Sequence, residues 1–146
     1  MIPKRNARRY APSLESIQEQ CKAYKKTLPS SDSAWPPDVR TFYDEIQHCL
    51  FDSDLRVGEV RRACGIGGHN ISCRFKHHVG MSPEAYILHH RIALAKRLLV
   101  EYNNVAISHI GYSIGYSSAS ALTKAFKRRV DMTPAQFRKK SRELER

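Results

Sequence analysis

Apolar residues along this chain recur every third or fourth position, in short blocks divided by glycine, proline and serine. In residues 13–26, Leu14, Ile17, Cys21 and Tyr24 form one helical stripe, with Ser13 placed to cap it. Residues 28–38, "LPSSDSAWPPD", read as a Pro/Ser linker. A helix starting at Pro37 or Asp38 turns Val39, Phe42, Ile46, Cys49 and Leu50 inward. From Arg56 a short helix offers Val57, Val60 and Cys64 to a core and stops at Gly65. A second, over 68–79, offers Ile71, Phe75 and Val79, with Gly80 as its C-cap. Ser82 and Pro83 then open a helix that runs to about Glu101, with Tyr86, Ile87, Leu94, Ala95, Leu98 and Leu99 as its apolar content. At ~1.5 Å per residue this helix is ~28 Å long.

The same grammar returns in the second half. Ile107, Ile110 and Ile114 precede Gly115, and Leu122, Phe126 and Val130 mark a helix over 118–130. Asp131 stands where a C-cap glycine is expected, and aspartate tolerates the left-handed conformation. Thr133 and Pro134 open a last helix, 134–142. No stretch alternates as a strand would, so the fold class is all-α. "FKHHVGMSP" at 75–83 recurs as "FKRRVDMTP" at 126–134, and each copy ends a helix, tight turn, helix unit. The expected organisation is a basic extension and linker (1–36), a first helix-turn-helix subdomain (37–82), a linking helix (83–101) and a second helix-turn-helix subdomain (102–142).

Charge adds a partner to this picture. Residues 55–140 hold 15 lysines and arginines against 4 acidic residues, whereas 1–54 and 141–146 are each balanced. The whole excess therefore lies in the repeated region, which suits a polyanion, most commonly nucleic acid. With the apolar stripes turned inward, His69, Ser72, Cys73, Lys76 and His77 face outward on the first second-helix, and Ser120, Thr123, Lys124, Lys127 and Arg128 on its counterpart. Such side chains read base edges and hold phosphates. Arg129 joins Arg128 as an expected phosphate contact. Successive major grooves on one face of B-DNA lie ~34 Å apart, so a ~28 Å strut between two reading heads is of the right size.

Residues 55–140 closely resemble the DNA-binding domain of AraC/XylS-type transcription regulators. The resemblance rests on "V-x-x-V-x-x-x-x-G", "I-S-x-x-F-K", "G-M-S-P-x-x-Y-I", "R-I-x-x-A-x-x-L-L", "I-x-x-I-G-x-x-x-G-Y" and "F-K-R-R-V-x-M-T-P-x-x-F-R". It implies about seven helices in two helix-turn-helix subdomains joined by a long central helix, and control of transcription from promoter DNA as activator or repressor. It also implies His69, Ser72 and Cys73 as base readers in the first recognition helix, and Ala119, Ser120, Thr123 and Lys124 in the second. Lys76, Lys127 and Arg128 would hold phosphates, with His77 beside them. Three positions depart from the family pattern: Arg61 replaces a small residue against the turn, Gly67-Gly68 replaces a capping Ser-Pro, and Cys73 a longer reader. The first head is therefore expected to be the more mobile or less specific one, or to settle only on DNA.

Other functions find less support. No carboxylate pair or nucleophile-base constellation suggests an enzyme, and no cofactor is expected. Cys64, His69, Cys73 and His77 resemble metal ligands, but three of them spread over two helical turns converge poorly on one ion, so no metal site is expected. The four cysteines read as free thiols. The N-terminal stretch lacks the apolar core of a signal peptide, and no run is long enough to span a membrane, so a cytoplasmic, nucleoid-associated location is expected. Arg91 is expected to tie helices together, and Trp35, Tyr112 and Tyr116 to pack. The leading expectation is a sequence-specific regulator that binds double-stranded promoter DNA as a monomer, with RNA polymerase as a further partner. The alternatives are a nonspecific nucleic-acid binder or a partner-recruiting module.

Overall fold

A computed structural model describes residues 14–67 and 70–145, with side chains from Ser16 onward. The expected Ser13 cap, the Leu14 side chain and His69 lie outside that description. Among the described residues the chain forms eight helices and no strand: α1 (Leu14–Lys26), α2 (Pro37–His48), α3 (Val57–Ala63), α4 (Ile71–Val79), α5 (Pro83–Glu101), α6 (Ile107–Ser113), α7 (Ala119–Val130) and α8 (Pro134–Leu144). Helices α3–α4 and α6–α7 are the two helix-turn-helix pairs, and α5 links them.

Local chemistry sets most boundaries. Ser82, Ser118 and Thr133 each accept a hydrogen bond from the backbone N–H three residues on, at 3.1, 3.0 and 3.1 Å, satisfying donors that a helix start leaves bare. Gln136 completes a capping box by accepting from the Thr133 N–H at 2.9 Å. Gly80 and Asp131 both end their helices in the left-handed region, at φ 97° and 66°. The expected stripes hold: Ile17, Cys21, Val39, Phe42, Ile46, Phe75, Leu94, Leu98, Ile110, Ile114, Leu122 and Phe126 are all buried.

Four expectations need correction. Helix α4 begins at Ile71, not 68, because Asn70 stands at its N-cap outside helical geometry, at φ −104° and ψ 2°. Helix α8 runs on to Leu144 rather than stopping at 142. Cys49 is only half-buried, since it lies at a helix C-cap where the chain turns away, whereas Cys64 packs against the core as expected. Tyr112 is 54% exposed, because it lies ~200° around α6 from the buried Ile110.

The two units meet around Arg91, halfway along α5 and only 9% exposed. Its Nε donates to the Leu50 carbonyl at 2.9 Å and its Nη2 to that of Asp52 at 2.8 Å, just beyond the end of α2. Nη1 donates to the Gly115 carbonyl at 3.2 Å, just beyond the end of α6. The guanidinium also lies 5.3 Å from the centre of the Tyr116 ring. Gly115 is glycine for two reasons: its φ is +106°, and a Cβ there would sit 2.5 Å from the Arg91 guanidinium carbon. At the far end of α5, whose last turn has no basic residue, Arg138 of α8 donates to the Leu99 and Tyr102 carbonyls at 3.1 Å each. Arg142 donates to Asn103 at 2.6 Å. Cations from α8 thus cap the negative end of the linking helix.

Helix α1 covers the other side of α5. Its Tyr24 hydroxyl meets His90 Nδ1 at 2.8 Å, and the His90 ring packs 4.5 Å from that of Tyr86. Burial, helped by the neighbouring His89 charge, pulls His90 down from the ordinary 6.5 to about 4.

Two predictions follow from these contacts. Arg91→Met leaves three carbonyls without a donor and should cost about 3 kcal/mol, and Gly115→Ala at least about 2 kcal/mol, both read from urea unfolding midpoints. Because His90 is neutral when folded and its unfolded form takes up a proton near 6.5, the stability it lends is complete above that pH. It is lost as pH falls from 6.5 towards 4. Between pH 7 and 5 the wild type should lose on the order of 1 kcal/mol that His90→Asn does not, measured by thermal melts at both pH values.

Candidate nucleic-acid interface

Each recognition helix follows its partner after a glycine in the left-handed region, Gly65 at φ +69° and Gly115 at φ +106°. The two turns close differently. In the second, Gly111 lets α6 approach α7 so closely that a Cβ would lie 3.4 Å from the Leu122 Cβ and 3.5 Å from the Ser118 carbonyl. In the first, the equivalent Arg61 is half-buried, and its Nη1 donates to the Ile66 carbonyl at 3.2 Å. A side chain that crowds a tight turn is here used to fasten a looser one.

On α7 the geometry sorts the expected contacts. At ~100° per residue, Lys124 and Arg128 lie opposite the buried Leu122 and Phe126, with Ser120 and Lys127 beside them. Ser120, Lys124, Lys127 and Arg128 are exposed; Ala119 and Thr123 are half-exposed. Arg129 falls on the flank facing α5, where its Nη2 pairs with His89 Nδ1 at 3.1 Å. No acidic residue occurs within Ala119–Val130, so nothing on the helix offsets Lys124, Lys127, Arg128 and Arg129.

On α4, Cys73, Lys76 and His77 are exposed and Ser72 is half-exposed. His69 lies outside the described residues. One cation of this helix already has an acidic partner. Arg74 makes a two-pronged pair with Asp38 of α2, Nη1 to Oδ2 at 2.7 Å, and that guanidinium holds the Asp38 carboxyl below its ordinary range. Sequence reading missed this pair; the only signal was an arginine on the flank of an otherwise short-chained face. Trp35 packs edge-on to Tyr43 at 5.2 Å and lies 6.0 Å from His78, and Tyr116 is half-buried under Arg91, so both are packing residues.

An open cleft of about 540 Å³ between α1, the 51–54 loop and α6 is lined by no residue of α4 or α7. Cys21, buried and bonded to the Ser113 carbonyl at 3.4 Å, has its thiol pushed up to about 11 by burial, which leaves it unreactive. Among the described residues no three metal-ligating side chains converge, and no helix is long and apolar enough to cross a membrane.

Comparison with known proteins decides the family, because a helix-turn-helix domain family model matches residues 60–140 and the matching relatives are AraC-like. The chain belongs to the AraC-type helix-turn-helix family. A putative AraC-like transcription regulator of Streptomyces lividans is 39% identical over 94 residues, which are 62% of this chain and 31% of that protein. The chain thus spans about a third of the length of that relative. The C-terminal domain of AraT, a response regulator from Geobacillus stearothermophilus, superposes with a TM-score of 0.66 at 26% identity, covering 74% of this chain and 88% of that one. The DNA-binding domain of AdpA, 20% identical and covering 71% of this chain and 95% of its own, shares the fold with a TM-score of 0.63. The Streptomyces lividans relative is named as a transcription regulator, and the AdpA domain as DNA-binding.

In this AraC-type domain the two second helices start unequally. Ser118 caps α7, whereas α4 starts at Ile71 after an uncapped Asn70. In amide exchange of the free protein, residues 74–77 should therefore protect less than the equivalent residues 122–125, by about tenfold; equal protection would show the two starts to be equally firm.

Proposed function

We propose that this chain reads double-stranded promoter DNA with two recognition helices, α4 and α7, laid in successive major grooves. The observation that carries the reading is the duplication itself: two turn-helix units, each exposing a polar and basic face, joined through one 19-residue helix. The AdpA domain was solved with a target DNA, which supports the same use of the shared fold.

On this reading Ser120, Thr123 and Lys124 contact base edges in one groove, with Ala119 against a thymine methyl. Ser72, Cys73 and His69 do so in the other. Lys76, His77, Lys127 and Arg128 hold phosphates, and Arg129 joins them from its perch on His89. Arg74, occupied by Asp38, takes no part. One molecule covers both half-sites, so it binds as a monomer to an asymmetric operator. Recruitment of RNA polymerase and association with the nucleoid would follow from promoter binding.

In-vitro selection from random duplex tests the reading: one sequence should win by about 10³-fold over random duplex at fixed salt, whereas a flat outcome means a nonspecific binder. Within that experiment, Lys124→Ala should relax the selected base at one position at a cost of about 1–3 kcal/mol. Arg128→Ala should weaken all sequences alike and lower the salt slope by about 1. An unchanged preferred sequence for Lys124→Ala removes that residue from the readers.

A further inference from the structure

Helix α1 lies wholly outside the residues 60–140 that match the family, yet it touches α5, the end of α6 and the chain at and beyond the end of α2. Ser16 Oγ meets the Tyr102 hydroxyl at 3.2 Å, at the end of the linking helix. Cys21 Sγ donates to the Ser113 carbonyl at 3.4 Å, at the end of α6 in the second unit. Tyr24 bonds His90 in the middle of α5 at 2.8 Å, and its ring packs edge-on to Phe51 of the first unit at 5.8 Å. Lys25 Nζ donates to the His48 carbonyl at 2.9 Å, at the end of α2. Ile17 and Cys21 are buried beneath these contacts. A 13-residue helix is marginal by itself in water, so α1 exists because this seat holds it.

We propose that α1 is a positioning helix that sets the spacing between the two recognition helices. It makes no contact with α4 or α7 in any of these bonds; it acts by bracing the first unit, α5 and α6 against one another. The inference rests on the two-groove reading above. Two linked heads bind a duplex as a bivalent ligand, and the gain from the second head depends on how closely the fixed geometry matches the separation of the half-sites. A brace on the side of α5 narrows the range of separations that the pair can meet. Affinity for the whole operator then rises, and operators of the wrong spacing are rejected.

The test uses the full chain, the duplex selected by the wild type, versions with one or two base pairs inserted or removed between half-sites, and the second half-site alone. Ile17→Asp unseats α1. Tyr24→Phe with Lys25→Met cuts two polar ties while keeping the buried stripe, and serves should Ile17→Asp fail to fold. Relative to wild type, Ile17→Asp should lose about tenfold on the whole operator and the double variant about threefold, with a flattened spacing profile and unchanged affinity for the single half-site. A spacing profile as sharp as that of the wild type in a folded variant overturns the proposal. So does a parallel loss on the single half-site, which would place α1 in the head itself. A wild type indifferent to spacing would instead overturn the two-groove reading on which this rests.

Discussion

One buried guanidinium holds the two halves of this molecule in register. Arg91 gives three of its donors to three backbone carbonyls, two from the chain leaving α2 and one from the chain leaving α6. Each carbonyl lies beyond a helix end, where intrahelical partners have run out, and the arginine replaces them from the element common to both units. A lysine offers no planar fork and could not reach all three at once. The requirement spreads outward: Gly115 has no side chain because the guanidinium fills that space, and Tyr116 lies across its face.

The rest of the architecture repeats this logic. Helix α5 is too polar on its exposed sides to be a core by itself, and it is fastened along its length: Tyr24 holds His90, Arg91 donates to carbonyls of the two turns, and Arg138 and Arg142 hold its end. What the binding face needs from this scaffold is rigidity. Ser120, Lys124 and Arg128 are exposed and free of acidic neighbours on their helix, so their direction is set by Leu122 and Phe126 beneath them.

The helices were legible in the sequence because their signals are local. Ser82-Pro83, Thr133-Pro134, Gly80 and Asp131 act within one turn of where they stand, and each marks a boundary in the structure. The start of α4 was not, because Ile71, Phe75 and Val79 fix which face is buried but not where the first turn closes. Tyr112 was misread for a related reason: its apolar character suggested packing, whereas the periodicity about Ile110 and Ile114 turns it outward. Long-range pairs left no trace. Asp38 with Arg74, Arg129 with His89, and the docking of α1 on α5 and α6 join residues at least 36 positions apart. The polar face of α7 could be read from its stripe alone, but the pairing that diverts Arg74 from the face of α4 could not.

The unequal starts of α4 and α7 give the molecule a direction. A palindromic dimer looks the same from either end of its site, but a single chain with one capped and one uncapped head does not. On the two-groove reading, a site and its inverse are different addresses. Flipping the site would exchange the places of the two heads, so strand polarity alone would choose which surface the neighbouring machinery meets.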